Sequence, residues 1–183
     1  MTIGISDVYR IRSSTFNESD YSEHTYRLWD RNTKLLVDGL RHLLDKAYPD
    51  GYAPCDDIGI IVASISGATQ AIYEIYNMYL QRGYVGINPA KFPHIMMSSV
   101  LNCCVKELKT HGFSSVMYYS HNDKKAVIEY ACLQLYSYRC KTCFLCFMDE
   151  KGNVLYMLIE SLDVARQNGR NIRFILHGGW EAL

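Results

Sequence analysis

The sequence predicts an α/β fold, in which helices cover a layered sheet. Two observations predict it. Short, uninterrupted apolar runs, of which Ile58-Gly-Ile-Ile-Val-Ala63 is the clearest, have the length and composition of strands covered on both faces. Longer stretches with apolar residues at helical spacing separate these runs, so strands and helices alternate along the chain. At 183 residues the chain fits one domain with a proper core, residues 1–183, without repeats, low-complexity segments or linkers.

In order, Thr2 to Arg12 reads as a first strand and Ser13 to Glu23 as a polar loop. A long helix follows from about Tyr26 to Tyr48, with Leu28, Leu35, Leu36, Leu40, Leu43 and Leu44 as its apolar stripe. Pro49-Asp50-Gly51 stops it. After the strand at Ile58 come a tight turn, Ser64 to Gly67, and a helix from Ala68 to Arg82. Pro89 to Pro93 is a rigid connector, and a third helix runs from about His94 to Lys109. The stretch from Gly112 to Glu150 then reads strand, sharp turn, helix, strand. Ser115 to Ser120 is the first of these strands and Thr142 to Met148 the second. Between them, Asn122 and Asp123 can cap a helix that shows Val127, Ile128, Ala131, Leu135 and Tyr138 at helical spacing. A strand from Val154 to Ile159, a short helical turn from Asp163 to Asn168, and a last strand from Asn171 to His177 complete the chain.

Composition excludes several classes of function. With 19 basic against 19 acidic residues, no net field draws in nucleic acid or an anionic membrane. No apolar run approaches the roughly 20 residues of a membrane span, and the start, MTIGISDVYRIR, lacks the pattern of a signal peptide. Seven cysteines, mostly inside apolar patterns, fit buried, reduced thiols and a cytoplasmic location. Fifteen tyrosines suit either an interface or a Tyr-rich core.

Strand-to-helix turns are where folds often place a nucleophile, because the helix dipole lowers a thiol's pKa there. Here the turn holds His121, flanked by Ser120 and Asn122. Ser120 and His121 as a hydrolytic dyad would need a turn to bring together side chains that diverge on a strand. Cys140-Lys-Thr-Cys143-Phe-Leu-Cys146 has CxxC spacing twice over. Residues three apart on a strand face opposite ways, and no second CxxC or HxxxH accompanies it, so buried structural thiols are expected rather than a metal or redox site. Cys103 and Cys104, adjacent on a helix, read as packing.

The stretch Gly112 to Glu150 resembles the nucleophile region of the β-ketoacyl synthases, the condensing enzymes of fatty-acid and polyketide synthesis. Gly112 takes the family's glycine and Phe113 its proline. His121 falls where the family has its cysteine, Lys124 where it has the glycine after the nucleophile, and Asp149 takes the closing aspartate. Ile58 to Ala68 is similar to the family's strand and glycine-containing turn, and Asn88 to Pro93 to its Ser-Pro-x-x-Phe-Pro connector. Ser99 to Leu108, Glu150 to Glu160 and Asp163 to Gly169 follow in the family's order. The resemblance implies one half of a thiolase-type fold, a ketosynthase N-terminal-like domain without the half that bears two catalytic histidines. It also implies a mixed five-stranded sheet, one fewer than the strand segments read above.

With His121 at the degenerate nucleophile position, the resemblance implies no catalytic residue, no metal and no cofactor. The chain is similar to a short, cysteine-less, chain-length-factor-type partner of an active β-ketoacyl synthase in fatty-acid, polyketide or polyene biosynthesis. Such a subunit forms a heterodimer with the synthase, meets an acyl carrier protein, and is a homodimer when alone. The implied dimer strand is Ser114, Ser115, Val116, Met117, Tyr118 and Tyr119, flanked by helices carrying Thr69 and Met97. Thr69, Ile72 and Tyr76 lie on one helical face; they either line the end of the partner's acyl tunnel or pack against the sheet. The rival readings are a small acyl-thioester hydrolase or acyltransferase using Ser120 or Cys104, and an acyl-binding homodimer.

Overall fold

The computed structural model describes residues 1–21, 26, 29–52, 57–120 and 122–176. Six strands form one mixed sheet: β1 (Ile3–Ile11), β2 (Ile58–Ser64), β3 (Ser114–Tyr118), β4 (Thr142–Met148), β5 (Val154–Ser161) and β6 (Phe174–Leu176), in the order β3-β2-β4-β5-β1-β6. β3, β2 and β4 run parallel, and the remaining pairs are antiparallel. The helices are α1 (Arg31–Ala47), α2 (Thr69–Arg82), α3 (Met97–Leu108), α4 (Lys124–Tyr136) and α5 (Leu162–Gln167).

Every residue of β2 and β4 is buried. Side chains alternate across a strand, so each strand feeds two cores. Ile58, Ile60, Val62, Phe144, Cys146 and Met148 join the leucines of α1 and Leu101, Cys104 and Leu108 of α3. Ile61, Ala63, Cys143, Leu145 and Phe147 pack instead with Val127, Ile128, Ala131 and Leu135 of α4. Cys143 and Cys146 therefore enter opposite layers, as their spacing predicts.

The sheet has six strands rather than five, because the three residues of β6 pair with Ile3 to Ile5 of β1. That strand ends at Leu176; His177 lies outside the described residues. The first helix starts at Arg31 instead of Tyr26, because the Asp30 side chain accepts the Thr33 N–H at 2.8 Å and closes the helix N-terminus there. Before it, Tyr26 and Trp29 meet edge to face at 4.8 Å, and Leu28 lies outside the described residues. The connector Pro89–Ile95 is a 3₁₀ turn, so α3 begins at Met97. Tyr138 does not share the α4 stripe: the helix stops at Tyr136, and Tyr138 adopts a φ of 54° with its ring exposed. Among the described residues no helix is long and apolar enough to cross a membrane.

One ion pair ties the layers together. Glu160 of β5, wholly buried, accepts two hydrogen bonds from Arg170, at 2.9 and 2.6 Å. Arg170 also donates to the Ala47 carbonyl at the end of α1 at 2.7 Å and lies over the Tyr48 ring. Replacing Arg170 by Met leaves a carboxylate buried without its partner, so a loss of about 3–5 kcal/mol is expected in urea unfolding. Asp7 is held differently. Burial works against its charge, but the Lys46 ammonium, the Val8 N–H and Arg173 outweigh it and hold the carboxyl below the usual range. A carboxyl depressed in the folded state stabilises above its unfolded pKa of about 3.9 and loses that contribution as pH falls through the folded value. Urea midpoints measured below pH of about 4 should therefore drop more steeply for the natural chain than for Asp7→Asn.

Candidate functional site

β3 delivers the chain to the turn before α4. Tyr119, buried, turns its ring edge to Phe147 at 5.2 Å and donates its hydroxyl to the Met148 carbonyl at 3.3 Å. Burial, with the charge of Asp149, raises the pKa of that hydroxyl and keeps it a donor. Ser120 is exposed and donates its hydroxyl to the Asp123 carboxylate. That bond explains why Asp123, at the N-cap position, accepts no backbone N–H of α4 through its side chain, contrary to the capping expected of it. His121 lies outside the described residues. Asp149 holds the β4–β5 turn by accepting the N–H groups of Lys151 and Asn153 and the Asn153 side-chain amide, each at 2.8 Å.

A cleft of about 210 Å³ opens beside this turn, lined by Arg10, Arg12, Tyr119, Phe147, Lys124 and Asp149 among others. Arg10 belongs to β1, and Arg12 follows the end of that strand in extended backbone, so both reach the cleft from the same stretch of chain. Three cations against one carboxylate give this cleft a net positive lining. Neither arginine was singled out from the sequence, although their period-two spacing on a predicted strand was the available signal.

None of the described thiols stands at the strand-to-helix turn. The chain as a whole is not cysteine-less, since it has seven cysteines; the thiol is missing at position 121. Cys103, Cys104, Cys132, Cys140, Cys143 and Cys146 are free. Cys104 is wholly buried, and burial pushes its thiol far up. A thiol that is protonated and out of reach of solvent is a poor nucleophile, which counts against the hydrolase reading through Cys104. Among the described residues no group of three or more His, Cys, Asp and Glu converges as a metal would need.

The opposite feature, apolar groups facing water, concentrates around α2. Of the described α2 side chains only Ala71 is buried. Thr69 is exposed, and Ile72 and Tyr76 are each 53% exposed, so this face does not pack on the chain's own sheet. Tyr73, Tyr79 and Leu80 on the same helix, Tyr84 and Val85 beyond it, and Phe92 and Met96 before α3 are exposed as well. Met97 is half-buried at the start of α3. Soluble monomers rarely expose large contiguous apolar patches, which makes this surface the candidate binding face. The signal in the sequence was a helix with aromatic and aliphatic residues nearly all round, which requires cover on more than one side.

β3 lies beside this surface at the edge of the sheet. The bonds from Ile60 N to Phe113 O and from Tyr119 N to Ser64 O set the alternation along the β2–β3 pair. The amides of Ser115, Met117 and Tyr119 face β2, and those of Ser114, Val116 and Tyr118 point outward. The described strand ends at Tyr118, one residue short of the expected dimer strand, because Tyr119 turns into the core. Tyr118, 71% exposed, leans over Gly67. A Cβ on Gly67 would lie 2.5 Å from the Tyr118 ring, and the φ of +60° there also favours glycine. Gly67 thus seats the Tyr118 ring at the start of α2 and joins the sheet edge and the helix into one surface.

No family model matches the chain, and no curated protein matches its sequence. Solved structures do match its fold. A chain of the AntDE:AntF structure, described as a type II PKS acyl-carrier protein in complex with its ketosynthase bound to the hexaketide, superposes with a TM-score of 0.78 at 13% identity, covering 97% of this chain and 67% of that one. The ishigamide ketosynthase/chain length factor gives a TM-score of 0.69 at 9% identity, covering 90% of this chain and 63% of that one. The ketosynthase ApeO in complex with its chain length factor ApeC, from Xenorhabdus doucetiae, gives a TM-score of 0.62 at 16% identity, covering 88% and 79%. The chain spans about two thirds of the length of the first two. Its mixed sheet with helices on both faces is the ketosynthase, or thiolase-like, fold.

Proposed function

We propose that the chain is a non-catalytic ketosynthase-like subunit that pairs with an active β-ketoacyl synthase and shapes its acyl tunnel, in the manner of a chain length factor. The observation that carries this reading is the set of exposed apolar side chains on α2 and at Tyr84, Val85, Phe92 and Met96, together with the open edge of β3. An open strand edge offers main-chain hydrogen bonds to a second strand, and the tyrosines beside it supply contact area. Histidine at position 121, where the resembling enzymes have cysteine, supports a subunit that leaves condensation to its partner, since that chemistry needs a thiolate to hold the acyl chain. That solved neighbours of this fold are complexes of a ketosynthase with a chain length factor or an acyl-carrier protein supports the same partners here. The cleft holding Arg10, Arg12 and Lys124 suits the anionic groups of such a carrier.

Assembly is the first test. Purified alone, the chain is expected to be a homodimer by light scattering; co-expressed with the synthase of its native host, it should form a heterodimer. Val116→Pro removes an outward amide from the β3 edge and spares the amides that face β2, so both assemblies should weaken while far-UV circular dichroism stays unchanged. A well-behaved monomer at micromolar concentration, or turnover of acyl-carrier thioesters by the chain alone, would overturn the reading.

The tunnel is the second. Tyr76 is half-exposed in the chain alone, so Tyr76→Ala should change its stability by less than about 0.5 kcal/mol. In the complex, a truncated aromatic that lines an acyl channel leaves a cavity costing about 3–5 kcal/mol if it stays empty. A longer chain can fill it, at roughly 0.8 kcal/mol recovered per buried methylene. The reconstituted complex should therefore make products longer by about two carbons or more. An unchanged length distribution at matched complex content would remove Tyr76 from the tunnel.

A further inference from the structure

The sulfurs of Cys140 and Cys143 serve neither the partner surface nor the cationic cleft, yet the fold brings them together. Cys143, the second residue of β4, stands in register with Gly59 of β2, and Cys140 lies just before the strand. Gly59 has no side chain, and the Cys140 sulfur occupies the vacant space: a Cβ on Gly59 would lie 2.9 Å from Cys140 Sγ. Both cysteine side chains therefore meet on the α4 face of the sheet, where both belong to the same core. The two thiols act on each other there, and the Gly59 N–H acts on the Cys140 sulfur.

Both thiols are buried, but they differ in reactivity and in what lies beside them. The neighbouring Cys143 thiol, helped by the Gly59 N–H, lowers the Cys140 thiol against the opposing effects of burial and the Asp57 charge. The same interaction, together with burial, raises Cys143. Burial also raises Cys103, Cys104 and Cys146 and, with Glu129, pushes Cys132 up to about 12. Among the described cysteines only Cys140 moves toward the thiolate. Cys140 also lines a cavity of about 310 Å³, bounded by Leu135, Tyr138, Ser161 and Val164. Cys143 sits wholly inside the core behind it.

We propose that Cys140 and Cys143 form a reversible thiol–disulfide site that reacts with low-molecular-weight disulfides, RSSR, through the cavity beside Cys140. The Cys140 thiolate attacks one sulfur of RSSR; a Cys140–SR bond forms, the S–S bond of RSSR breaks, and RS⁻ leaves to take up the proton that Cys140 gave up. Cys143 then attacks Cys140 Sγ. The Cys140–Cys143 bond forms, the Cys140–SR bond breaks, and the second RS⁻ leaves with the proton from Cys143. Two protein thiols lose two electrons and two protons, and RSSR gains them to become two RSH. The order follows from position, because only Cys140 meets the cavity and Cys143 has the Cys140 sulfur as its neighbour.

The test uses the full chain and glutathione disulfide at neutral pH, read by intact mass and peptide mapping. The natural chain should lose two hydrogens, with the new bond between residues 140 and 143, and dithiothreitol should restore the original mass. Cys143→Ser should instead trap one glutathione on Cys140, about tenfold or more faster than on Cys103, the half-exposed internal reference. Cys140→Ala should show neither product. Far-UV circular dichroism checks that each variant folds, and the mass change of the natural chain keeps the test independent of the variants. An internal bond that appears only in denaturant, a stable mixed disulfide on the natural chain, or labelling that favours Cys103 would overturn the proposal.

Discussion

Everything in this chain is arranged around the parallel pairing of β2 with β4, two strands without one exposed residue between them. Strands buried on both faces demand cover on both sides, and α1 with α3 on one face and α4 on the other provide it. The antiparallel strands β5, β1 and β6 extend the sheet on one side, where Glu160 and Arg170 lock β5 to the end of α1. On the other side β3 adds a single strand, and among the described residues no strand follows it. The sheet thus has one edge backed by antiparallel strands and one that ends in open backbone beside an apolar helix.

The sequence made the central strands legible because burial on both faces removes polar residues from them, and Ile58 to Ala63 and Thr142 to Met148 stand out for that reason alone. It made α1 legible through its leucines but misplaced its start, since the aromatic run through Trp29 continues the apolar pattern and only the cap at Asp30 ends it. The face of Thr69, Ile72 and Tyr76 was found, but periodicity does not distinguish a helix facing its own sheet from one facing elsewhere. Ile72 and Tyr76 read alike in both cases, and only their exposure separates them. The cationic cleft was hidden because Lys124 reaches Arg10 and Arg12 from more than a hundred residues away in the chain. Asp123 was expected to cap α4, but the neighbouring Ser120 hydroxyl takes its carboxylate.

The cysteines show how one spacing carries two meanings. Cys143 and Cys146, three apart within a strand, are separated by the sheet itself and enter different cores. Cys140 and Cys143, also three apart, are not both in the strand, and the chain's entry into β4 brings their sulfurs onto one face over Gly59. The alternation rule for strands holds only inside the strand. At its first residues the backbone is free to turn the rule around.

In the subunit pairing proposed above, the seat that Gly67 makes for Tyr118 links two surfaces that would otherwise meet the second protein separately. The ring belongs to the sheet edge, and the glycine belongs to the turn that leads into α2. A backbone docked on β3 fixes where Tyr118 stands, and that ring in turn limits where α2 presents its side chains. Binding at the two patches therefore shares a coupling free energy, and lesions in the two do not add as independent losses would. A change as small as a methyl group at residue 67 would act on recognition from beneath the surface, without touching the second protein at all.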